Sequence, residues 1–464
     1  MHASAGRRGS RWILAAISVA LFCVQIDYFA VNLALPRVAA ELHSTTTDMQ
    51  WVVSIYMLTL GAFMVPAGRI ADIFGRRRLL LSGVALFAGA SVLCAVAPSV
   101  PALVGFRALQ GIGAAMIFPV SVSVLTNAFP AETAGRAIGM AYGIAGLGNA
   151  AGPLVGGILT ETVGWRAVFW ALVPFAVVSL LIGARVIPET SDPGAPRRID
   201  VAGLALITTG VGLFTLVFDR APAWGWLSAV TLVAAVAAAG LLVAFVAVER
   251  RTPHPLVDLR LFGEPGFAVL VVAGTVANIA YVVTVFLSTL NLQQVRGLNP
   301  LAAGLVFVGP SAGAALAGAV SGRIPARFSP TAVMGTGCIA AAVSLAALAF
   351  SDGWPLYVAA LTACGSTMGF VYAYTTVATQ AVVDPARAGE AAGVTLTLLV
   401  TLAGVGVAVS GTALEVLGTD SPGAGIDVIL ATVAAALLLS GLAVVGRLRA
   451  RTARPHPSPR PHTS

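Results

Sequence analysis

A chain of 464 residues that is 58% hydrophobic and only 10% charged, with a mean hydropathy of +0.92, is too apolar for a water-soluble fold of this length and reads as an integral membrane protein. Its formal net charge of +8 rests on arginine with no lysine anywhere, which excludes a Gly-Lys-Ser/Thr phosphate loop, Schiff-base chemistry and a lysine-held pyridoxal phosphate. No stretch between the apolar runs is large enough to fold into a basic soluble face, so no nucleic-acid partner is expected.

Fourteen apolar segments of about 18 to 25 residues recur, each long enough to cross a hydrocarbon layer of about 30 Å as a helix. They are expected over 12–34, 50–67, 79–97, 102–126, 136–160, 166–187, 199–218, 227–248, 266–290, 300–321, 331–350, 354–380, 389–413 and 426–446. The connections are mostly short and leave no room for an appended catalytic domain. With the N-terminus in the cytoplasm, every arginine except Arg37, Arg107, Arg166, Arg220 and Arg296 falls on the cytoplasmic side. This is the positive-inside bias, and an even number of spans returns the C-terminus to the same side. The opening "RRGSRW" precedes an apolar run with no small-residue cleavage site, so the run is kept as the first helix and not as a secretion signal.

The first segment contains "CVQIDYFAVNLALP" (Cys23 to Pro36), with a carboxylate at Asp27 inside the apolar run. The fourth, "LVGFRALQGIGAAMIFP", places Arg107, Gln110, Gly111 and Ala114 on one helix face. At 1.5 Å per residue, Asp27 and Arg107 fall at similar depth, about 8 to 10 Å below the outer interface. A lone charge there costs about 2.5 to 3.5 kcal/mol even on the lenient scale, so the two are expected to face one another or share a wet cavity. Such a pair is either a static tie between helices or a carboxylate that loads a proton when dry and releases it when Arg107 or water approaches. The second reading is favoured, because a purely structural pair gains little over apolar packing.

The second segment leaves through "GRIADIFGRRR", which is expected to turn at Gly75 and to bring Asp72 within pairing distance of Arg76. A related "SGRIPARF" after the tenth segment suggests two similar halves, as in transporters built from repeats. The fifth segment, "GMAYGIAGLGNAAGPLVGG", spaces Gly139, Gly148, Gly152, Pro153, Gly156 and Gly157 along a helix that can approach its neighbours closely. Cys23, Cys94, Cys338 and Cys364 lie within spans at no metal-ligand spacing and are read as packing residues. The histidines lie outside the spans, so neither a haem nor an intramembrane metal is expected.

On these residues the sequence resembles the major facilitator superfamily, and within it the fourteen-helix drug:proton antiporters. The loop matches the superfamily pattern at Gly68, Ala71, Asp72, Gly75, Arg76 and Arg77, with Ile70 for the usual Leu and Ile73 where a basic residue is common. "RALQGIG" is similar to the segment associated with proton coupling, the glycine series is complete against the antiporter pattern, and "DYFAVNLALP" keeps Asp27, Asn32 and Pro36 but has Phe29 for the usual Thr. The resemblance implies a conformational gate at Gly68, Asp72, Gly75, Arg76 and Arg77 and proton coupling through Asp27, Arg107 and Gln110.

The fold expected is all-α and membrane-integral: a major facilitator fold with a six-helix bundle over 1–187, an inserted helix pair over 188–265, a second bundle over 266–446 and a disordered basic tail over 447–464. The function expected is proton-coupled export of amphipathic small molecules by alternating access, without a cofactor and without enzymatic activity, as a monomer in a bacterial cytoplasmic membrane. Aromatic and neutral polar residues should line the substrate cavity, with Tyr28, Asn32, Tyr56, Asn149, Asn278, Tyr281, Tyr372 and Tyr374 as candidates. Apart from Asp27, no carboxylate is expected deep in a span, which disfavours highly charged cations as substrates. A proton-coupled importer, or a membrane sensor or scaffold that moves nothing, is the alternative.

Overall fold

The computed structural model describes residues 2–44, 46–191, 200–253, 255–257, 259–264, 266–321, 323–324, 328–351, 353–384, 387–417 and 422–452. Among them every regular element is helical. The first six helices, α1 (His2–Glu41), α2 (Thr46–Phe74), α3 (Arg76–Ala95), α4 (Val100–Ala128), α5 (Ala131–Thr162) and α6 (Arg166–Val186), alternate in direction through short turns. Two of those turns need a backbone that side chains rarely adopt, and glycine supplies it: Gly75 at φ 119° and Gly164 at φ 109°. A large apolar core joins these six helices, from Ile13 on α1 to Ile187 just beyond α6, and takes in Ala373, Ala392 and Leu396 from later in the chain.

Helices α7 (Val201–Trp224) and α8 (Ala229–Glu249) follow, each started by a side-chain cap. Asp200 accepts from the Gly203 N–H at 2.9 Å, and Ser228 accepts from the Thr231 N–H at 3.2 Å. The α8 surface exposes Val233, Val236 and Val243, as a helix bathed in lipid tails does. A 3-10 turn, Leu259–Gly263, leads into α9 (Phe267–Leu290). Beyond it come α10 (Pro300–Val306), α11 (Val308–Ser321), α12 (Pro330–Ala349), α13 (Trp354–Ala381), α14 (Ala388–Leu417) and α15 (Pro422–Thr452). A second large core, from Leu270 on α9 to Val444 on α15, joins this half.

Twelve helices are long and apolar enough to cross a membrane among the described residues; the fourteen expected from sequence are not all reached. The segment expected over 136–160 lies inside α5, which is not among the twelve. The segment expected over 300–321 is broken: Pro310 cannot donate to the Val306 carbonyl and its ring crowds it, and α10 ends at Val306. Its apolar core, Ala302–Gly318, is correspondingly short. At the far end α15 carries helix through Thr452, into the first six residues of the expected tail, and 453–464 lie outside the described residues. Gly322 of the second Gly-Arg-Ile also lies outside them.

The two halves meet along two seams, α2 against α14 and α5 against α11. Helix α7 packs on both α2 and α14, so the middle pair rests on the first seam.

Candidate functional site

The side chains of Asp27 on α1 and Arg107 on α4 meet inside the first core at 2.7 Å, with exposures of 0% and 1%. So complete a removal from water needs more than one contact to offset it, and the surroundings provide several. Gln110, one turn along α4, accepts from Arg107 Nη1 at 2.7 Å and extends its amide towards Asp27 Oδ1 at 3.4 Å and Ser91 Oγ of α3 at 2.8 Å. Arg107 Nε donates to the Val52 carbonyl of α2 at 3.0 Å, and its guanidinium lies 4.1 Å from the centre of the Tyr56 ring. Four helices thus converge on one carboxylate. The Tyr56 hydroxyl is itself buried with no hydrogen-bond partner among the described residues.

The close approach of α2 to α4 depends on Gly111, where a Cβ would overlap Thr59 Oγ1 and lie 2.5 Å from the Tyr56 carbonyl. Helix α5 works similarly on α1. A Cβ on Gly148 would meet the Phe22 carbonyl at 2.7 Å, and one on Gly156 would meet the Ala30 carbonyl at 2.5 Å. On its other side α5 receives Gly318 of α11, whose Cβ would sit 2.7 Å from the Gly143 Cα and 3.4 Å from the Gly139 carbonyl. Gly152 is buried in the same helix and Gly157 partly so. Pro153 and Asn149 on α5, and Asn32 on α1, belong to these helices, but their side chains lie outside the described residues.

At the Gly75 turn, Asp72 accepts from Arg76 Nε at 2.8 Å and both side chains are buried. Sequence reasoning missed the partner of this turn. Glu189, just past α6, accepts from the Arg77 and Arg78 backbone N–H groups at 3.1 and 3.2 Å, capping the first turn of α3. The Arg76 N–H donates to the neighbouring Thr190 carbonyl at 2.8 Å. A Cβ on Gly75 would meet Glu189 Oε1 at 2.6 Å, so the glycine serves the contact as well as the turn. Gly68 lies within α2, two turns before Gly75. At the opposite end of the molecule Glu41 ties α1 to α6 by accepting from Arg166 and, at 2.7 Å, from Trp165 Nε1. The hydrogen bond from Arg166 holds the Glu41 carboxyl below the usual carboxylate range.

Between the halves lies a cavity of ≈ 770 Å³ of empty space, its open side included. Its aromatic wall is Tyr28, Phe118, Tyr281 and Tyr372, and its polar groups include Gln25, Asn278, Thr215 and Thr401. Of the expected lining residues, Tyr28, Asn278, Tyr281 and Tyr372 are there. Tyr56 instead packs under Arg107, and Tyr374 stacks on Phe370 at 5.5 Å in the second core. Thr215 was not expected; it comes from α7.

Two charges on α7 find partners on α2. Asp219 accepts from Ser54 Oγ of α2 at 2.6 Å and has a side-chain exposure of 32%. It is a partly buried carboxylate near the end of α7. Arg220 is buried at 2% exposure with its guanidinium 3.7 Å from the centre of the Trp51 ring. Only these distant α2 partners, Ser54 and Trp51, draw the two side chains into the packing. The four cysteines are buried and free, and no group of three or more potential metal ligands occurs among the described residues.

The sequence profile of the Major Facilitator Superfamily matches residues 17–246. The chain is 34% identical over 346 residues to the tetracenomycin C resistance and export protein of Streptomyces glaucescens, covering 74% of this chain and 64% of that protein. It therefore spans slightly less than two thirds of that relative's length. It is 32% identical over 436 residues to the drug efflux pump JefA of Mycobacterium tuberculosis, covering 92% of this chain and 85% of the pump. The multidrug efflux pump LfrA of Mycolicibacterium smegmatis is 36% identical over 337 residues. In three dimensions the chain superposes on the human organic anion transporter MFSD10 (TETRAN) with a TM-score of 0.68, covering 95% of this chain and 99% of that one, at 14% identity. That likeness is one of fold.

Proposed function

Because the chain belongs to the Major Facilitator Superfamily, we propose that it is a proton-coupled antiporter that exports amphipathic small molecules across a bacterial cytoplasmic membrane by alternating access. The observation that carries this is the Asp27–Arg107 pair, fully buried in one half of the molecule beside a cavity shared by both. Asp27 is the proton carrier. While ionised it is held by Arg107 and Gln110, and protonation removes the charge that holds Arg107, Gln110 and the Val52 carbonyl in one arrangement. Helices α1, α2 and α4 are thereby freed to move together. Asp72, Gly75, Arg76 and Arg77, with Gly68 along α2, form the gate, and Glu189 makes that gate sensitive to the position of α6.

Two six-helix units with α7 and α8 between them give fourteen crossings if α5 and the broken α10–α11 also span. Support comes from the packing of α5 on α1 and of α11 on α13. The N- and C-termini are then cytoplasmic, and a single copy contains the whole path. A proton moving in down about 100 mV supplies about 2.3 kcal/mol, and each pH unit about 1.4 kcal/mol more. One proton can sustain a concentration ratio of a few hundredfold for a neutral compound.

The test is proton movement in everted vesicles carrying wild type or Asp27→Asn, with an imposed pH gradient and lipophilic compounds added in turn. Dissipation through wild type and not through the variant is expected. Equal dissipation through both removes Asp27 as the carrier, and none through wild type for any compound counts against export.

A further inference from the structure

The cavity has polar lining groups that the proton site and the gate do not use. Thr401 of α14 lines it, is 7% exposed, and has a hydroxyl with no hydrogen-bond partner among the described residues. An unpaired buried hydroxyl is destabilising unless something else supplies a partner. The hydroxyl sits against Gly61 of α2, where a Cβ would lie 3.0 Å from Thr401 Oγ1. Two acceptors share the same cavity. Thr215 of α7 already donates to the Val211 carbonyl at 2.9 Å, which leaves its oxygen lone pairs. Asn278 of α9 donates through Nδ2 to the Leu399 carbonyl at 2.9 Å, which leaves its own carbonyl. These three lining side chains therefore offer the Thr401 hydroxyl, the second amide N–H of Asn278 and two acceptors.

Charge is the feature this cavity lacks. No Asp, Glu or Arg lines it among the described residues. Asp27, adjacent in sequence to Tyr28, is fully buried and held by Arg107 and Gln110. Asp219, one turn along α7 from Thr215, is held by Ser54 and Arg220. A cation entering would shed water without gaining a counter-charge, which is costly in a membrane interior. The aromatic wall favours flat rings, and the attraction of its faces for a cation is weaker than the hydration a cation would shed.

We propose that this cavity takes an uncharged planar aromatic molecule bearing a carbonyl together with an N–H or O–H group, held by its polar edge at Thr401, Thr215 and Asn278. The inserted helix α7 is then part of the substrate site and not merely a support for the seam. This rests on the reading that the cavity carries the exported compound, and it fixes the class of that compound.

Three probes with one tricyclic frame test it by equilibrium binding to the purified full chain in lipid nanodiscs. Acridone is neutral with a carbonyl and an N–H, anthracene has neither, and proflavine is cationic. Wild type is expected to bind acridone, and proflavine at least tenfold more weakly. Thr401→Val should weaken acridone by about five- to tenfold, the value of one hydrogen bond, and leave anthracene unchanged. Thr401→Ser should restore acridone binding, and Thr215→Val should weaken it by about threefold. Proflavine binding as tightly as acridone, unaltered acridone affinity in Thr401→Val, or equal weakening of acridone and anthracene would each overturn the proposal. Because binding is read without transport, acridone binding in a protein that moves no protons sinks the exporter reading and leaves the subsite standing.

Discussion

At the scale of single residues, Asp27 and Arg107 pose a choice between scaffold and machine that substitution can decide. Truncating Arg107 to Ala strands a carboxylate of 0% exposure, which typically costs about 3–5 kcal/mol. Replacing both partners by apolar residues of similar volume, Asp27→Leu with Arg107→Met, removes the desolvation cost together with the attraction and is usually neutral or stabilising. The double variant is therefore expected to melt close to wild type in detergent and to dissipate no proton gradient on addition of compound. If it still couples protons to export, the pair is a tie and the proton passes elsewhere. Sequence reasoning reached this pair because an ion in an apolar run must find a counter-ion, and depth along two helices left one candidate. It did not reach Tyr56 as the ring beneath Arg107, since a tyrosine carries no charge that demands explanation.

At the scale of helices, the glycines of α5 separate into those that permit an approach and those that do not. Gly156 and Gly148 lie against carbonyls of α1, whereas a Cβ on Gly146 would meet only open space. Gly156→Ala and Gly148→Ala should each push α1 outward at about 1–3 kcal/mol, the usual cost of overpacking. Gly146→Ala should gain slightly from helix propensity, by up to about 1 kcal/mol. Thermal melting of the three variants, with export measured alongside, checks this; equal behaviour of all three would mean that α5 does not rely on contact at those glycines. Close packing by α5 was legible from spacing alone, but its partners, α1 on one side and α11 on the other, were not, because nothing local in a Gly-rich run identifies the neighbour. The same limit hid Glu189 and Asp219. Each is a carboxylate near a helix end, and its role appears only when a segment more than a hundred residues away supplies the N–H or hydroxyl.

For the molecule as a whole, alternating access requires that contacts between the halves at one end be broken in each cycle. Near the Gly75 end such a contact joins α5 to α13: a Cβ on Gly135 would lie 3.1 Å from Val377 Cγ1. Further in, Tyr142 and Tyr372 meet edge to face across the same divide at 6.0 Å. The four native cysteines are buried, so a pair introduced as Gly135→Cys and Val377→Cys can be oxidised or cross-linked selectively, and its separation is suited to a disulfide or a short linker. Cross-linking is expected to abolish export by at least tenfold, reduction of the disulfide to restore it, and neither single variant to respond to oxidant. The cross-link should leave acridone binding intact, since the cavity itself is not constrained, and so separate a block on movement from damage to the site. Export continuing at the wild-type rate with the link in place would mean that the halves do not part at this end, and the gate assigned to Asp72, Gly75 and Glu189 would then have nothing to control.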